Sequence, residues 1–152
     1  MPNPVAIGET APQTALPAQV DIYDFDKTLV PFDSGSLFIG YCALHYPWVL
    51  VYLPVWFIAC LLFALILSLQ KFKNLCFGFL PLVPVQRAAK GFWEKHLHQV
   101  YPWFTQKKRP AVIISASPDF LLEELQRRLG LPYLLCTRHN PKTGRILGQN
   151  CR

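Results

Sequence analysis

Two acidic residues, one position apart, follow a short stretch that is typical of a β-strand. Asp24 and Asp26 lie in residues 24–29 (DFDKTL), directly after residues 20–23, in which apolar and polar side chains alternate. Ligands of open α/β sheets bind at the carboxyl ends of the strands. One carboxylate can attack phosphorus, while the other protonates the departing alkoxide and then activates water. The pair therefore predicts phosphoryl transfer through an aspartyl-phosphate.

This chemistry also predicts a cofactor. Two carboxylates repel a phosphate dianion, so a divalent cation is needed to bring these negative charges together. Mg²⁺ is the expected ion because it prefers hard oxygen ligands.

A second motif could complete the site. Residues 111–115 (AVIIS) are apolar and largely β-branched, which predicts a parallel strand buried on both faces. Ser117 is placed to cap the helix that follows, and Gly130 is placed to end it. The hydroxyl of Ser115 and the N–H of Ala116 would then donate to a phosphoryl oxygen. In the alternative interpretation, the two serines only cap the helix.

The remaining elements indicate an α/β fold. Residues 85–104 have the apolar spacing of one helix, residues 131–137 read as a third strand, and residues 145–147 return as the arm of a β-hairpin. This order predicts an incomplete Rossmann-like parallel sheet of about three strands plus the hairpin, with an apolar α-helical cap inserted after strand 1. The predicted divisions are a disordered leader (1–18), an α/β core (19–33 and 105–152) and a helical cap (34–104).

The cap contains a long uncharged segment. No Asp, Glu, Lys or Arg occurs between Asp33 and Lys71, and residues 47–69 are long enough to span a bilayer as a helix. A single crossing would separate Asp24 from Ser115, so the chain must return to the same side.

Several arrangements would allow this return. Residues 37–69 could form a membrane hairpin broken near Pro47 or Pro54, or residues 75–85 could dip back as a second segment. The cap could also lie in the membrane interface without crossing it, or it could be a soluble cap with a very apolar core.

Charge and cysteine usage narrow the functional classes. The formal net charge is +6, and basic residues follow the apolar segment, which favours anionic partners and a cytoplasmic catalytic side. No recognised nucleic-acid-binding motif accompanies this charge, so no nucleic-acid partner is expected. The five cysteines are scattered without C-x-x-C spacing, which argues against a disulfide framework and a zinc site.

The motif DFDKTL after a strand, followed by an insertion and then VIISAS before a helix, resembles the first two signatures of the haloacid-dehalogenase superfamily. Its phosphoserine-phosphatase-like branch, in which the cap lies between these motifs, is the most similar. The resemblance implies that Asp24 is the nucleophile, Asp26 the general acid and base, and Ser115 a phosphoryl ligand. It also implies that the Asp24 carboxylate and the Asp26 main-chain oxygen hold Mg²⁺.

Two loop residues belong to the same resemblance. Thr28 is expected to support the loop and to join Ser115 and Ala116 in binding phosphate. Lys27 replaces the glycine that is most often found at its position in the superfamily.

The apolar cap is similar to that of bacterial phosphatidylglycerophosphatase C-type proteins, which implies a membrane-associated enzyme that acts on a lipid phosphate. The superfamily's last two signatures, a lysine and an acidic pair, do not appear before residue 152. We therefore expect a C-terminally truncated chain with little activity. The alternatives are a soluble phosphoserine-phosphatase-like enzyme and a non-catalytic, membrane-anchored phosphate-binding module.

Overall fold

The structure, a computed structural model, describes residues 19–63 and 68–150. Its sheet has four strands in the spatial order β1 (Asp21–Tyr23), β2 (Ala111–Pro118), β3 (Tyr133–His139) and β4 (Ile146–Asn150). Strands β1, β2 and β3 run parallel, and β4 pairs antiparallel with β3. The predicted α/β class, with three parallel strands and a hairpin, is confirmed. The predicted leader lies outside the described residues.

Helices occupy the connections between the strands. Those between β1 and β2 are α1 (Ser34–His45), α2 (Leu53–Phe63), α3 (Leu69–Cys76), α4 (Val85–His96) and α5 (Pro102–Thr105), while α6 (Asp119–Leu129) joins β2 to β3. Three short 3₁₀ segments, Pro47–Tyr52, Leu80–Leu82 and Leu97–Gln99, link some of them. The helical insertion thus follows the first strand, as the sequence predicts.

Strand β2 is less buried than its apolar sequence predicts. Ala111 and Ile113 are enclosed in the core, but Ile114 is 38% exposed. Successive side chains of a strand point to opposite faces of the sheet, so the described residues cover one face near Ile114 only partly. The prediction of a strand buried on both faces is therefore wrong at this position.

The single helix predicted over residues 85–104 is also wrong. Helix α4 ends at His96, and Val100 and Tyr101 have extended backbone before α5 begins. Pro102 accounts for the extended backbone of Tyr101, because a proline disfavours helical backbone in the residue before it. The extended residue Tyr101 then donates its N–H to the Leu29 carbonyl at 2.9 Å, which ties this segment to the loop after β1.

Helix α6 ends as predicted but begins differently. Gly130 adopts left-handed backbone (φ 60°) and its N–H bonds the Gln126 carbonyl, which is the arrangement that favours glycine after a helix. The N-cap position is taken by Pro118, and no side chain caps the helix there. The prediction that Ser117 caps α6 is therefore wrong, and its hydroxyl is available for another role.

The apolar cap segment folds back on itself. Helix α1 ends just before Pro47, and helices α2 and α3 pack side by side in opposite directions. The Trp56 indole N–H donates to the Cys76 carbonyl at 2.9 Å near one end of the pair, while the Phe63 and Phe72 rings lie 4.4 Å apart near the other. No helix within residues 19–63 and 68–150 is both long and apolar enough to cross a bilayer.

One apolar core joins the cap to the sheet. Trp93 of α4 is fully buried, and its indole N–H donates to the Leu121 carbonyl of α6 at 2.7 Å. Phe38 of α1 packs against Phe120 with ring centroids 5.3 Å apart. These contacts pack α1 and α4 against α6. The domain boundaries inferred from composition stay a prediction.

Candidate phosphoryl-transfer site

The loop after β1 is held by its own backbone. The N–H groups of Leu29 and Thr28 both donate to the Phe25 carbonyl, at 2.9 and 3.2 Å, and the Lys27 N–H donates to the Phe32 carbonyl at 3.2 Å. Phe25 and Leu29 are fully buried. Two apolar anchors thus leave the intervening polar residues at the edge of the sheet.

Lys27 occupies the sharpest point of this loop. Its φ is 60°, and it is the only non-glycine residue with positive φ in the described chain. Side chains disfavour this region, whereas glycine enters it freely. The turn geometry explains why glycine would suit this position.

Asp24 lies at the carboxyl end of β1 with its side chain exposed. Its carboxylate accepts one hydrogen bond, from the N–H of Phe25 at 2.8 Å. Tyr23 pairs in register with Ile113, so Asp24 and Ser115 lie on adjacent parallel strands near the same edge. The structure thus brings the two strand ends together, while the catalytic role of Asp24 stays a prediction.

Ser115 is buried, and its hydroxyl is partly engaged. The oxygen accepts from the Ser117 N–H at 3.0 Å. A serine hydroxyl has one proton to donate besides accepting. The predicted donation to a phosphoryl oxygen is therefore compatible with this contact.

Asp26 is fixed through both carboxylate oxygens. Oδ1 accepts from the Ser34 main-chain N–H at 2.8 Å, and Oδ2 accepts from the Ser117 hydroxyl at 2.5 Å. The Ser34 hydroxyl lies 2.9 Å from the Ser117 oxygen and donates to it, because the Ser117 proton is already used. We call Asp26, Ser34 and Ser117 the aspartate triad.

The sequence did not predict that Ser34 and Ser117 would be hydrogen-bond partners of Asp26. Ser34 follows Asp33, whose carboxylate caps α1 by accepting from the Ser36 N–H at 2.8 Å. A helix start directly after the acidic loop was the available signal, because first-turn N–H groups lack helical partners and attract carboxylates. The sequence offers no comparable signal for Ser117, which it predicts as a cap.

The other two predicted phosphate ligands, Thr28 and Ala116, make main-chain contacts within the fold. Thr28 is half-buried, and its main-chain bond to Phe25 supports the loop. The Ala116 carbonyl accepts from the Thr137 hydroxyl at 3.0 Å and from the Lys73 ammonium at 2.8 Å. Phosphate binding by Thr28 and Ala116 stays a prediction.

A cavity of about 240 Å³ opens beside the aspartate triad. Its polar wall includes Asp26 and Ser117, and α3 of the cap contributes Lys73. The full lining comprises Asp26, Asp33, Gly35, Ser36, Ile39, Phe72, Lys73, Cys76, Phe77, Ala116, Ser117 and Pro118. The cavity thus combines carboxylates, one cation and apolar walls.

Burial shifts the pKa values of two titratable groups in the cavity wall. It lowers the pKa of Lys73, although the negative charges of Asp26 and Asp33 oppose the change. Burial raises the pKa of the Cys76 thiol to about 11. Cys76 is therefore neutral near pH 7 and makes the cavity no more negative.

The carboxylates partly fit a Mg²⁺ site. The exposed carboxylate of Asp24 offers oxygen ligands. These suit Mg²⁺, a hard cation that keeps several waters and binds few carboxylates. Within residues 19–63 and 68–150, no cluster of three or more His, Cys, Asp or Glu side chains could hold a metal. Mg²⁺ binding by Asp24 and the Asp26 main-chain oxygen therefore stays a prediction.

Comparison with known proteins identifies the family. Residues 22–152 match the haloacid dehalogenase-like hydrolases, and no curated protein matches the chain. The fold is similar to that of a protein of unknown function from Bordetella pertussis Tohama I (17% identity, TM-score 0.68, covering 85% of this chain and 66% of that one). It is also similar to a HAD family hydrolase from Salmonella enterica serovar Typhi (14% identity, TM-score 0.56, covering 87% and 45%).

A third solved structure, a phospho-aspartyl intermediate analogue of phosphoserine phosphatase, matches at 17% identity with a TM-score of 0.44 and coverage of 86% and 61%. The chain spans less than two thirds of the length of each of these structures.

Proposed function

Because the chain belongs to the haloacid dehalogenase-like hydrolases, we propose that it provides the nucleophile and the general acid of a Mg²⁺-dependent phosphatase. The observation that carries the proposal is the position of the aspartate triad. Its Asp26 accepts a hydrogen bond at each carboxylate oxygen and lies two residues after the exposed Asp24. A carboxylate fixed in this way is suited to proton transfer, whereas a carboxylate with open oxygens is suited to attack phosphorus.

The reaction would proceed in two steps. In the first, an Asp24 oxygen bonds to phosphorus as the ester P–O bond breaks, and Asp26 gives a proton to the departing alkoxide. In the second, Asp26 takes a proton from water, the water oxygen bonds to phosphorus, and the acyl-phosphate bond breaks. Phosphate leaves and Asp24 is restored. The Ser117 hydroxyl can support both protonation states of Asp26, since it can either donate or accept.

Asp24 and the main-chain oxygen of Asp26 would hold Mg²⁺. When bound, the ion would offset the repulsion between the carboxylates and the phosphate dianion and polarise the phosphoryl oxygens. Because no group of three or more acidic, His or Cys side chains within residues 19–63 and 68–150 is arranged to hold a metal, we expect weak Mg²⁺ binding and slow turnover.

The substrate we propose is a lipid phosphate monoester, reached by a cap that lies at a membrane with the catalytic part on its cytoplasmic side. Support comes from α2, whose exposed apolar side chains include Phe57 (73% exposed), Ile58 and Leu61. Exposed apolar side chains that cluster on one helix are typical of an interaction face.

The proposal is tested by phosphate release from a phosphatidic acid and from phosphoserine, with and without Mg²⁺. We expect slow release that requires Mg²⁺, prefers the lipid and is lost in Asp24→Asn. Asp21→Asn is the matched control, because Asp21 lies on the same strand and pairs with Arg109 at 3.7 Å instead.

Equal release by the parent and Asp24→Asn would overturn the assignment of the nucleophile. A strong preference for phosphoserine would defeat the lipid substrate alone. Phosphate binding without any release would indicate a non-catalytic binding module.

A further inference from the structure

Helix α3 of the cap is fastened to the sheet by one polar face. Gln70, Lys73 and Asn74 are spaced three and four residues apart, so they share a side of the helix. The Gln70 amide donates to the Ile146 carbonyl at 2.9 Å, and the Asn74 side-chain oxygen accepts from the Ile146 N–H at 2.7 Å. Two bonds to one residue of β4 fix the position and rotation of α3.

This attachment directs Lys73 toward the candidate site. Its ammonium donates to the Ala116 carbonyl at 2.8 Å, between Ser115 and Ser117 in the second motif. Lys73 also lines the cavity beside Asp26 and is the only basic residue among the described residues of that lining. The cap thus places one positive charge at the end of β2.

Lys73 retains hydrogen-bond donors for a ligand in this cavity. An ammonium has three N–H donors, and the contact with Ala116 uses one of them. A neutral carbonyl is a weaker partner than a phosphate oxygen, because bonds between ionised groups are shorter and stronger. A ligand phosphate in the cavity near Asp26 and Ala116 would therefore gain a charge-assisted bond from Lys73.

We propose that Lys73 is the residue through which the cap binds the substrate's phosphate. The inference rests on the proposed function and adds a binding residue that lies outside both sequence motifs. A cation here would offset part of the repulsion between the phosphate and the acidic loop. The neighbouring Phe72 and Phe77 provide apolar wall for the rest of an amphiphilic substrate.

The test is the affinity of the whole chain for inorganic phosphate in the presence of Mg²⁺, measured by calorimetric titration. Lys73→Met keeps much of the side-chain length but removes the charge, and it is expected to weaken binding roughly ten- to a hundredfold, as for loss of a bond between charged groups. Lys73→Arg should restore most of the affinity, because it retains a cation.

Lys71→Met is the matched control. It removes the same charge from the same helix, but Lys71 is exposed and does not line the cavity. Its phosphate affinity should stay within about twofold of the parent, as screened surface charges contribute little. A circular dichroism spectrum matching the parent will show that each variant is folded.

Equal weakening by Lys73→Met and Lys71→Met would overturn the inference, since a general charge effect would then explain both. Unchanged affinity in a folded Lys73→Met would overturn it as well. Neither result bears on the nucleophile, because Asp24→Asn tests that separately through phosphate release. Loss of release in Asp24→Asn with unchanged phosphate binding in Lys73→Met would reject the inference and retain the proposed function.

Discussion

Replacing Ser117 with alanine tests whether the aspartate triad is a structural unit. The Ser117 side chain is buried, donates to Asp26 at 2.5 Å and lies 2.9 Å from the Ser34 hydroxyl. Ser117→Ala removes both contacts with little change in volume. The carboxylate of Asp26 then loses one donor, and the Ser34 hydroxyl loses its acceptor.

The structure sets the expected magnitude. A hydrogen bond to a charged group contributes about 1.5–3 kcal/mol, and one between neutral groups about 0.5–1.5 kcal/mol. Asp26 is only half-buried, so water can replace part of what is lost. We expect Ser117→Ala to lower the free energy of unfolding by about 2 kcal/mol, which would move a urea midpoint by roughly 1 M.

The assay is urea denaturation followed by tryptophan fluorescence, with Ser36→Ala as the control. Ser36 also lines the cavity, but its hydroxyl is exposed and only its main-chain N–H bonds to Asp33. Its loss should change the free energy of unfolding by less than about 0.5 kcal/mol. Ser117→Ala and Asp26→Asn should also be non-additive, as expected for residues in direct contact. Equal, small effects of the two serine variants would show that the aspartate triad is not a structural unit.

Three further predictions concern the loop, the cap and the cysteines. Because Lys27 has a φ of 60°, Lys27→Val should lower the free energy of unfolding by at least about 1 kcal/mol relative to Lys27→Gly, and equal urea midpoints would contradict this. Phe57→Glu should weaken co-sedimentation with anionic liposomes by roughly tenfold, because it replaces an exposed aromatic side chain with a charge; an equal loss in the control Gln106→Glu would count against α2 as the contact. Burial raises the pKa of the Cys42 thiol to about 12, so iodoacetamide at pH 8 should modify it far more slowly than the exposed Cys60, and similar rates by peptide mapping would contradict the packing.

Local signals in the sequence were sufficient to predict the sheet and the edge at which its first two strands end. The acidic loop follows an alternating strand, and an apolar β-branched run leads to Ser115, so both strand ends could be placed at one edge. Gly130 likewise marks the end of α6 through a backbone conformation that glycine favours.

The partners of Asp26 could not be predicted in the same way. Ser117 lies 91 residues from Asp26 in the chain, and a serine before a helix is usually read as a cap. Only the assembled sheet brings its hydroxyl to the acidic loop. The contact between Lys73 and Ala116 depends in the same way on how α3 docks on β4.

The path of the apolar segment was also beyond sequence reasoning. Residues of α2 are apolar on every side, so no periodicity distinguishes a buried face from an exposed one. The antiparallel pairing of α2 and α3 is seen only through contacts such as Trp56 with Cys76. The membrane association of this pair stays a proposal.

The most direct test of Asp24 as the nucleophile is to find where a phosphoryl group becomes covalently attached. The chain would be mixed with Mg²⁺ and a phosphatidic acid, quenched in acid to preserve acyl phosphates, and mapped by peptide mass spectrometry. We expect a phosphoryl group on Asp24 in the parent and no labelled peptide in Asp24→Asn. A phosphoryl group on another residue, or equal labelling in the two proteins, would contradict it.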